Sequence, residues 1–120
     1  MRALIIEDDR DIAAYLKVLL EEDGFEVSSA NSGGEGLEKA RAEIPDLLLL
    51  DINLPTVDGF EICRILKGNE ATGKIVIIAV SSKEKFSDYE KMAEAGADAF
   101  VGKPVDKEEL FKKINLYLKR

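Results

Sequence analysis

Leu47-Leu48-Leu49-Leu50-Asp51 is apolar at four successive positions and then ends on a carboxylate. A strand with one wet face alternates apolar and polar residues, so this unbroken run predicts a central parallel strand covered on both faces by helices. The neighbouring sequence fits the same plan. Ala3-Leu4-Ile5-Ile6 and Ile75 to Val80 are strand-sized apolar runs, Phe25 to Ser29 reads as a further strand, and Ala99-Phe100-Val101 as a short one.

Amphipathic stretches separate these runs. Ile12, Leu16, Leu19 and Leu20 mark one face of a helix stopped by Gly24. Ser32 and Glu35 form a capping-box pattern ahead of a helix with Leu37, Ala40 and Ile44 inward, which Pro45 ends. After the loop Leu54 to Gly59, Asp58 with Glu61 suits the start of a third helix. A fourth has Phe86, Tyr89 and Ala93 inward and stops at Gly96. Asp106 with Glu109 caps a fifth, whose stripe is Leu110, Ile114, Tyr117 and Leu118. Strict alternation of strand and helix implies a parallel sheet with right-handed crossovers, in a three-layer α/β/α sandwich. Residues 1–120 are expected to form one domain, without internal repeat or linker, either a stand-alone protein or one excised from a longer chain.

Composition narrows the function. The chain is 46% hydrophobic and 34% charged, as an ordinary globular domain is. Its formal net charge of −7 repels a nucleic-acid backbone, so no direct nucleic-acid partner is expected. The absence of histidine removes the usual zinc sites, histidine triads and any phosphohistidine role within the chain. Cys63 is the single cysteine, which suits a reducing cytoplasm and most simply packs in a helix. Glu7 interrupts the apolar N-terminus too early for a signal peptide, and no run is long enough to span a membrane.

The polar residues at the carboxyl ends of the strands carry the chemistry, because ligands of open α/β sheets bind there. Glu7 and Asp8 end the first strand, Asp51 the third and Ser81 the fourth, and Lys103 follows the fifth. In a flavodoxin-like order, 2-1-3-4-5, strands one and three are neighbours about 4.8 Å apart. Glu7, Asp8 and Asp51 then converge on one pocket. Two like charges 4 Å apart repel by about 4 kcal/mol at an effective dielectric near 20. Either one carboxyl stays protonated or a cation joins them. A hard oxygen set without imidazole or thiolate favours Mg²⁺ over zinc. Asp9, Asp11, Asp58 and Asp106 are read as helix caps or first-turn acids. Lys103, before Pro104, is a compact charge suited to a phosphoryl oxygen. Ser81 with Glu84 equally fits a plain capping box. Phe86 and Tyr89 read as core or partner surface.

Over nearly its whole length the sequence resembles the receiver domains of two-component response regulators. The resemblance rests on Leu4-Ile5-Ile6-Glu7-Asp8-Asp9, on Leu50-Asp51-Ile52-Asn53-Leu54-Pro55 with Asp58-Gly59-Phe60-Glu61, on Val80-Ser81, and on Gly96-Ala97-Asp98-Ala99-Phe100-Val101-Gly102-Lys103-Pro104. Each is short, and their order and spacing make the set specific. The resemblance implies that Asp51 is the phosphoacceptor, receiving its group from a sensor histidine kinase or a histidine phosphotransfer protein. It implies Mg²⁺, with Mn²⁺ as a substitute, held by Asp8, Asp51, the Asn53 carbonyl and, through water or hydrogen bonds, Glu7. It implies that Lys103 neutralises phosphoryl charge, that Lys103-Pro104 is a cis peptide, and that Ser81 and Phe100 move together. The surface of the fourth helix, fifth strand and fifth helix would thereby change for a downstream effector protein or output domain.

Some positions depart from the commonest family pattern. Glu7 stands for Asp, Ser81 for Thr, Ser82 for Ala, Phe100 for Tyr, and Ala99 for an Asp that contributes to charged dimer contacts. Ser82 bears on access to Asp51, and Phe100 lacks a hydroxyl for output contacts. The resemblance implies a signalling domain that promotes only its own phosphorylation and dephosphorylation. The alternatives are a degenerate receiver used as a binding surface and a phosphatase of the haloacid-dehalogenase type. The latter needs an acid two residues after its nucleophile, where this chain has Asn53. A flavin-binding reading fails because acids, not a phosphate-cradling loop, follow Ile6.

Overall fold

Hydrophobic burial organises the chain around the Leu47–Leu50 run, whose four side chains are essentially inaccessible to solvent. Each contributes about 2 kcal/mol by leaving water. In the computed structural model, which describes residues 1–55, 57–81 and 86–120 and only the backbone of 86 and 87, the elements alternate without exception. They are β1 (Arg2–Ile6), α1 (Arg10–Glu22), β2 (Glu26–Ala30), α2 (Gly33–Glu43), β3 (Leu47–Asp51), α3 (Gly59–Lys67), β4 (Val76–Ser81), α4 (Phe86–Ala95), β5 (Ala99–Gly102) and α5 (Lys107–Tyr117). The expectations for Thr56, Ser82, Glu84 and the Phe86 side chain lie outside the described residues.

All strands pair in parallel, in the order β2-β1-β3-β4-β5. Alternation along each strand divides the core in two. Leu4, Ile6, Leu48, Leu50, Ile77 and Ala79 face Ala40, Ile62, Cys63, Leu66 and Met92 of α2, α3 and α4. Ala3, Ile5, Leu47, Leu49, Ile78, Val80 and Val101 face Leu16, Leu20, Leu110 and Ile114 of α1 and α5. This is the three-layer sandwich expected from the sequence, with the expected strand order. The helix starts are capped as read: Asp9, Ser32, Asp58 and Asp106 each accept from a backbone N–H of the first turn. Glu35 reaches back to the N–H of Asn31, one residue before the usual capping-box partner.

Several details differ from the sequence reading, among them β4, which runs Val76–Ser81 where Ile75 to Val80 was expected, because the Ile75 N–H bonds the Thr72 carbonyl of the preceding turn. β2 begins at Glu26, one residue later than expected, because the Phe25 N–H bonds the Leu20 carbonyl and its ring drops into the core. Ile44 is 48% exposed, not inward, because the helix must end before Pro45 and Ile44 caps it at φ 45°, which swings the side chain out. On α4, Ala93 is exposed and Met92 and Ala95 are buried instead, since α4 rolls to pack on Cys63 of α3. Tyr117 is exposed because Phe111 and Leu118 draw the α5 stripe toward the α1 side.

Candidate functional site

The carboxyl ends of β1 and β3 place three acids side by side. Glu7 directly follows β1, and its N–H continues the ladder to the Ala30 carbonyl at 3.0 Å. Asp51 is the last residue of β3, and the Ile52 N–H donates to the Val80 carbonyl at 3.1 Å, which holds the strand end flat against β4. Glu7 and Asp51 are buried and Asp8 is exposed at the rim. One carboxylate oxygen from each lies within 4.8 Å of the other two. The pocket predicted from strand order therefore forms.

Local contacts fix these groups. The Asn53 N–H donates to Asp51 Oδ1 at 3.0 Å, orienting the carboxylate as the chain leaves the strand. The Asp9 N–H donates to Glu7 Oε2 at 3.2 Å, while Asp9 itself caps α1 and takes no place in the cluster. Gly59, at the start of α3, comes so close that a Cβ there would lie 2.7 Å from the Asp51 carbonyl oxygen and 2.8 Å from Ile52 Cα. A larger residue would push α3 off the backbone that presents Asp51.

Lys103 closes the pocket from β5. Its N–H donates to the Ser81 carbonyl at 2.8 Å, the last rung between β4 and β5. Its Nζ lies 2.8 Å from Glu7 Oε1 and 3.6 Å from Asp51 Oδ1. The peptide to Pro104 is cis, as expected. Glu7 Oε1 is buried, and the Lys103 ammonium at 2.8 Å is the positive charge that faces it. Burial pushes the Glu7 carboxyl up to about 7, against the pull of Lys103 and the Asp9 N–H, and the Asp51 charge adds to the rise. Burial works to lower the Lys103 pKa, but Glu7 and Asp51 outweigh it and leave the pKa raised.

Three carboxylates against one ammonium leave a formal charge of minus two in a partly buried site. A divalent cation would balance that charge, and the all-oxygen donor set, without imidazole or thiolate, suits Mg²⁺. The residues fit the ion. Ser81 is buried at the end of β4. Phe100 is half-buried further back on β5, its ring 5.0 Å from that of Tyr89 on α4 at an interplanar angle of 40°.

The response regulator receiver domain family matches residues 3–115. The chain belongs to that family. Among curated relatives, response regulator ArlR of Staphylococcus saprophyticus is 39% identical over 99% of this chain and 53% of its own length. The chain thus spans about half the length of the curated relatives it matches. A CheY-like receiver domain protein of Methanospirillum hungatei superposes with a TM-score of 0.91 at 35% identity, covering 98% of this chain and 93% of that one. The signal receiver domain of a DNA-binding response regulator from Colwellia psychrerythraea gives a TM-score of 0.93 at 28% identity, covering 100% and 99%. This receiver domain has, among its described residues, no helix long and apolar enough to cross a membrane.

Two features of the pocket were not legible from the strand-end acids. One is the ion pair of Lys103 with Glu7, which is closer than that with Asp51. The other is Tyr15 of α1, whose hydroxyl donates to the Val105 carbonyl at 3.3 Å, just beyond Lys103. Its position three residues after Ile12, beside the buried stripe of α1, is the available sequence signal.

Proposed function

We propose that residues 1–120 act as one cytoplasmic phosphorylation switch in which Asp51 accepts a phosphoryl group from a phosphohistidine of a sensor histidine kinase or histidine phosphotransfer protein. The observation that carries this reading is the convergence of Glu7, Asp8 and Asp51 within 4.8 Å, with Lys103 Nζ 3.6 Å from Asp51 Oδ1. An Asp51 carboxylate oxygen attacks phosphorus in line. The new P–O bond forms as the donor P–N bond breaks, and the electron pair leaves with the imidazole nitrogen, which is then protonated. Lys103 faces the oxygens that gather charge in that step and turns from Glu7 toward the phosphoryl group.

Asp8, Asp51, the Asn53 carbonyl and, through water, Glu7 would hold Mg²⁺, or Mn²⁺ in its place, which supplies countercharge to the donor phosphoryl and to Asp51. Ser81, buried beside the pocket, then donates to a phosphoryl oxygen, and Phe100 shifts with it. The α4–β5–α5 surface changes as a result and recruits an effector protein or output domain; a two-state equilibrium biased by the phosphoryl group suffices. The chain catalyses nothing beyond its own phosphorylation and dephosphorylation. Incubation with acetyl phosphate and Mg²⁺ should add the mass of one phosphoryl group, mapped to Asp51 by peptide mass spectrometry. Unchanged mass, with the metal bound, would contradict the reading.

A further inference from the structure

We infer that Tyr15 is a positioning residue for Lys103, acting through the turn that joins β5 to α5; this rests on the reading of Lys103 above. Lys103 carries its charge on a flexible four-carbon stem, so the place of its backbone decides which carboxylate the ammonium reaches. That backbone sits at the end of an edge strand with a single neighbour. Its last rung is the bond of the Lys103 N–H to the Ser81 carbonyl. Pro104 has no N–H to continue the ladder, and α5 begins only when Asp106 caps it through the Glu109 N–H at 3.3 Å.

Between these two anchors, the tertiary hydrogen bond to the turn among the described residues comes from α1, where the Tyr15 hydroxyl donates to the Val105 carbonyl at 3.3 Å. The Tyr15 ring and Ile12 also line the groove formed with Lys103, Pro104 and Val105. Val105 itself is 8% exposed and packs with the core shared by α1 and α5. Tyr15 is 46% exposed, so little of the fold's apolar burial depends on it. Its hydroxyl therefore holds the segment from which the Lys103 side chain projects between Glu7 and Asp51. Freed of that tether, the peptide at Val105 can tilt while its side chain stays packed, and the ammonium settles on Glu7, which it already contacts at 2.8 Å.

The test is a double-mutant cycle on the whole chain, with Tyr15→Phe, Lys103→Ala, the double variant and Asp51→Asn beside the native protein. Initial rates of phosphorylation by acetyl phosphate with saturating Mg²⁺ are followed together with thermal midpoints. Half-saturation by beryllofluoride with Mg²⁺ is measured on the same proteins, so that variants with very slow phosphorylation are still compared. Tyr15→Phe keeps the ring and loses one neutral hydrogen bond. It should weaken the rate and the beryllofluoride response by about three- to tenfold while leaving the thermal midpoint close to native. In the Lys103→Ala background the same change should do nothing further, since its effect passes through Lys103. Native behaviour of Tyr15→Phe overturns the inference, and so does an equal loss in both backgrounds, which marks Tyr15 as merely structural. Phosphate uptake by Asp51→Asn at the native rate would instead overturn the choice of acceptor, whatever Tyr15 does.

Discussion

Lys103 Nζ stands closer to Glu7 Oε1, at 2.8 Å, than to Asp51 Oδ1, at 3.6 Å. In the unphosphorylated chain the ammonium is thus committed first to the acid that completes the pocket, and only second to the proposed acceptor. A phosphoryl group on Asp51, as proposed, would carry up to two negative charges against the single charge of Glu7, so it would draw Lys103 across the pocket.

Lys103→Ala should still accept a phosphoryl group, since Asp51 and the proposed metal ligands remain. The movement of the α4–β5–α5 surface should largely vanish. Backbone amide shifts of β5 and α5 on adding beryllofluoride and Mg²⁺ measure this. Native-sized shifts in the variant would show that Lys103 does not transmit the signal.

Glu7 gives a pH prediction of definite sign. Its pKa rises from 4.5 to about 7 on folding, so across that interval the folded protein holds a proton that the unfolded chain has released. This contribution favours the fold fully below pH 4.5 and is lost as pH rises through about 7. The slope of stability against pH without metal should therefore be less negative in Glu7→Gln than in the native chain. Urea midpoints at several pH values in EDTA give the difference; equal slopes would mean that Glu7 is not the group concerned. Added Mg²⁺ should diminish the effect, because the ion stabilises the ionised form.

Ile44 is a β-branched residue in the left-handed region, at φ 45°, with its side chain 48% exposed. Ile44→Asn keeps the turn, loses little burial, and should stabilise the protein by about 1 kcal/mol. A higher urea midpoint with an unchanged slope is the expected result. An unchanged midpoint would show that the backbone there is not strained.

Gly59→Ala should act in the opposite direction. Both atoms that a Cβ would meet below 3 Å, the Asp51 carbonyl oxygen and Ile52 Cα, are main chain and have little room to move. The variant should lose about 2 kcal/mol of stability and weaken Mg²⁺ binding, measured by calorimetry. Native metal affinity would mean that the approach of α3 does not set the Asp51 geometry.

Much of this site was readable because its acids interrupt or end runs of buried residues. Leu47–Leu50 followed by Asp51, and Ile6 followed by Glu7, announce both a central strand and a carboxylate at its mouth. Periodicity served less well where two phases compete. On α4, Met92 and Ala93 are adjacent apolar residues, and only the contact of Ala95 with Cys63 decides which turns inward. The Tyr89 ring of α4 meets that of Phe100 on β5, a contact between separate elements that no local pattern shows. Tyr15 and Val105 lie ninety residues apart, a pairing that no local pattern encodes. Lys67 likewise gives no local sign that it bridges Asp98 at 2.9 Å and the Ile75 carbonyl at 2.7 Å, under the opposite end of the sheet.

The most direct measurement is phosphoryl transfer from a labelled phosphohistidine donor to the native chain and to Asp51→Asn side by side, with Mg²⁺ and then with excess EDTA. Label should enter the native protein only when Mg²⁺ is present and should not enter Asp51→Asn at all. Equal labelling of the two proteins, or native labelling in EDTA, would contradict the account.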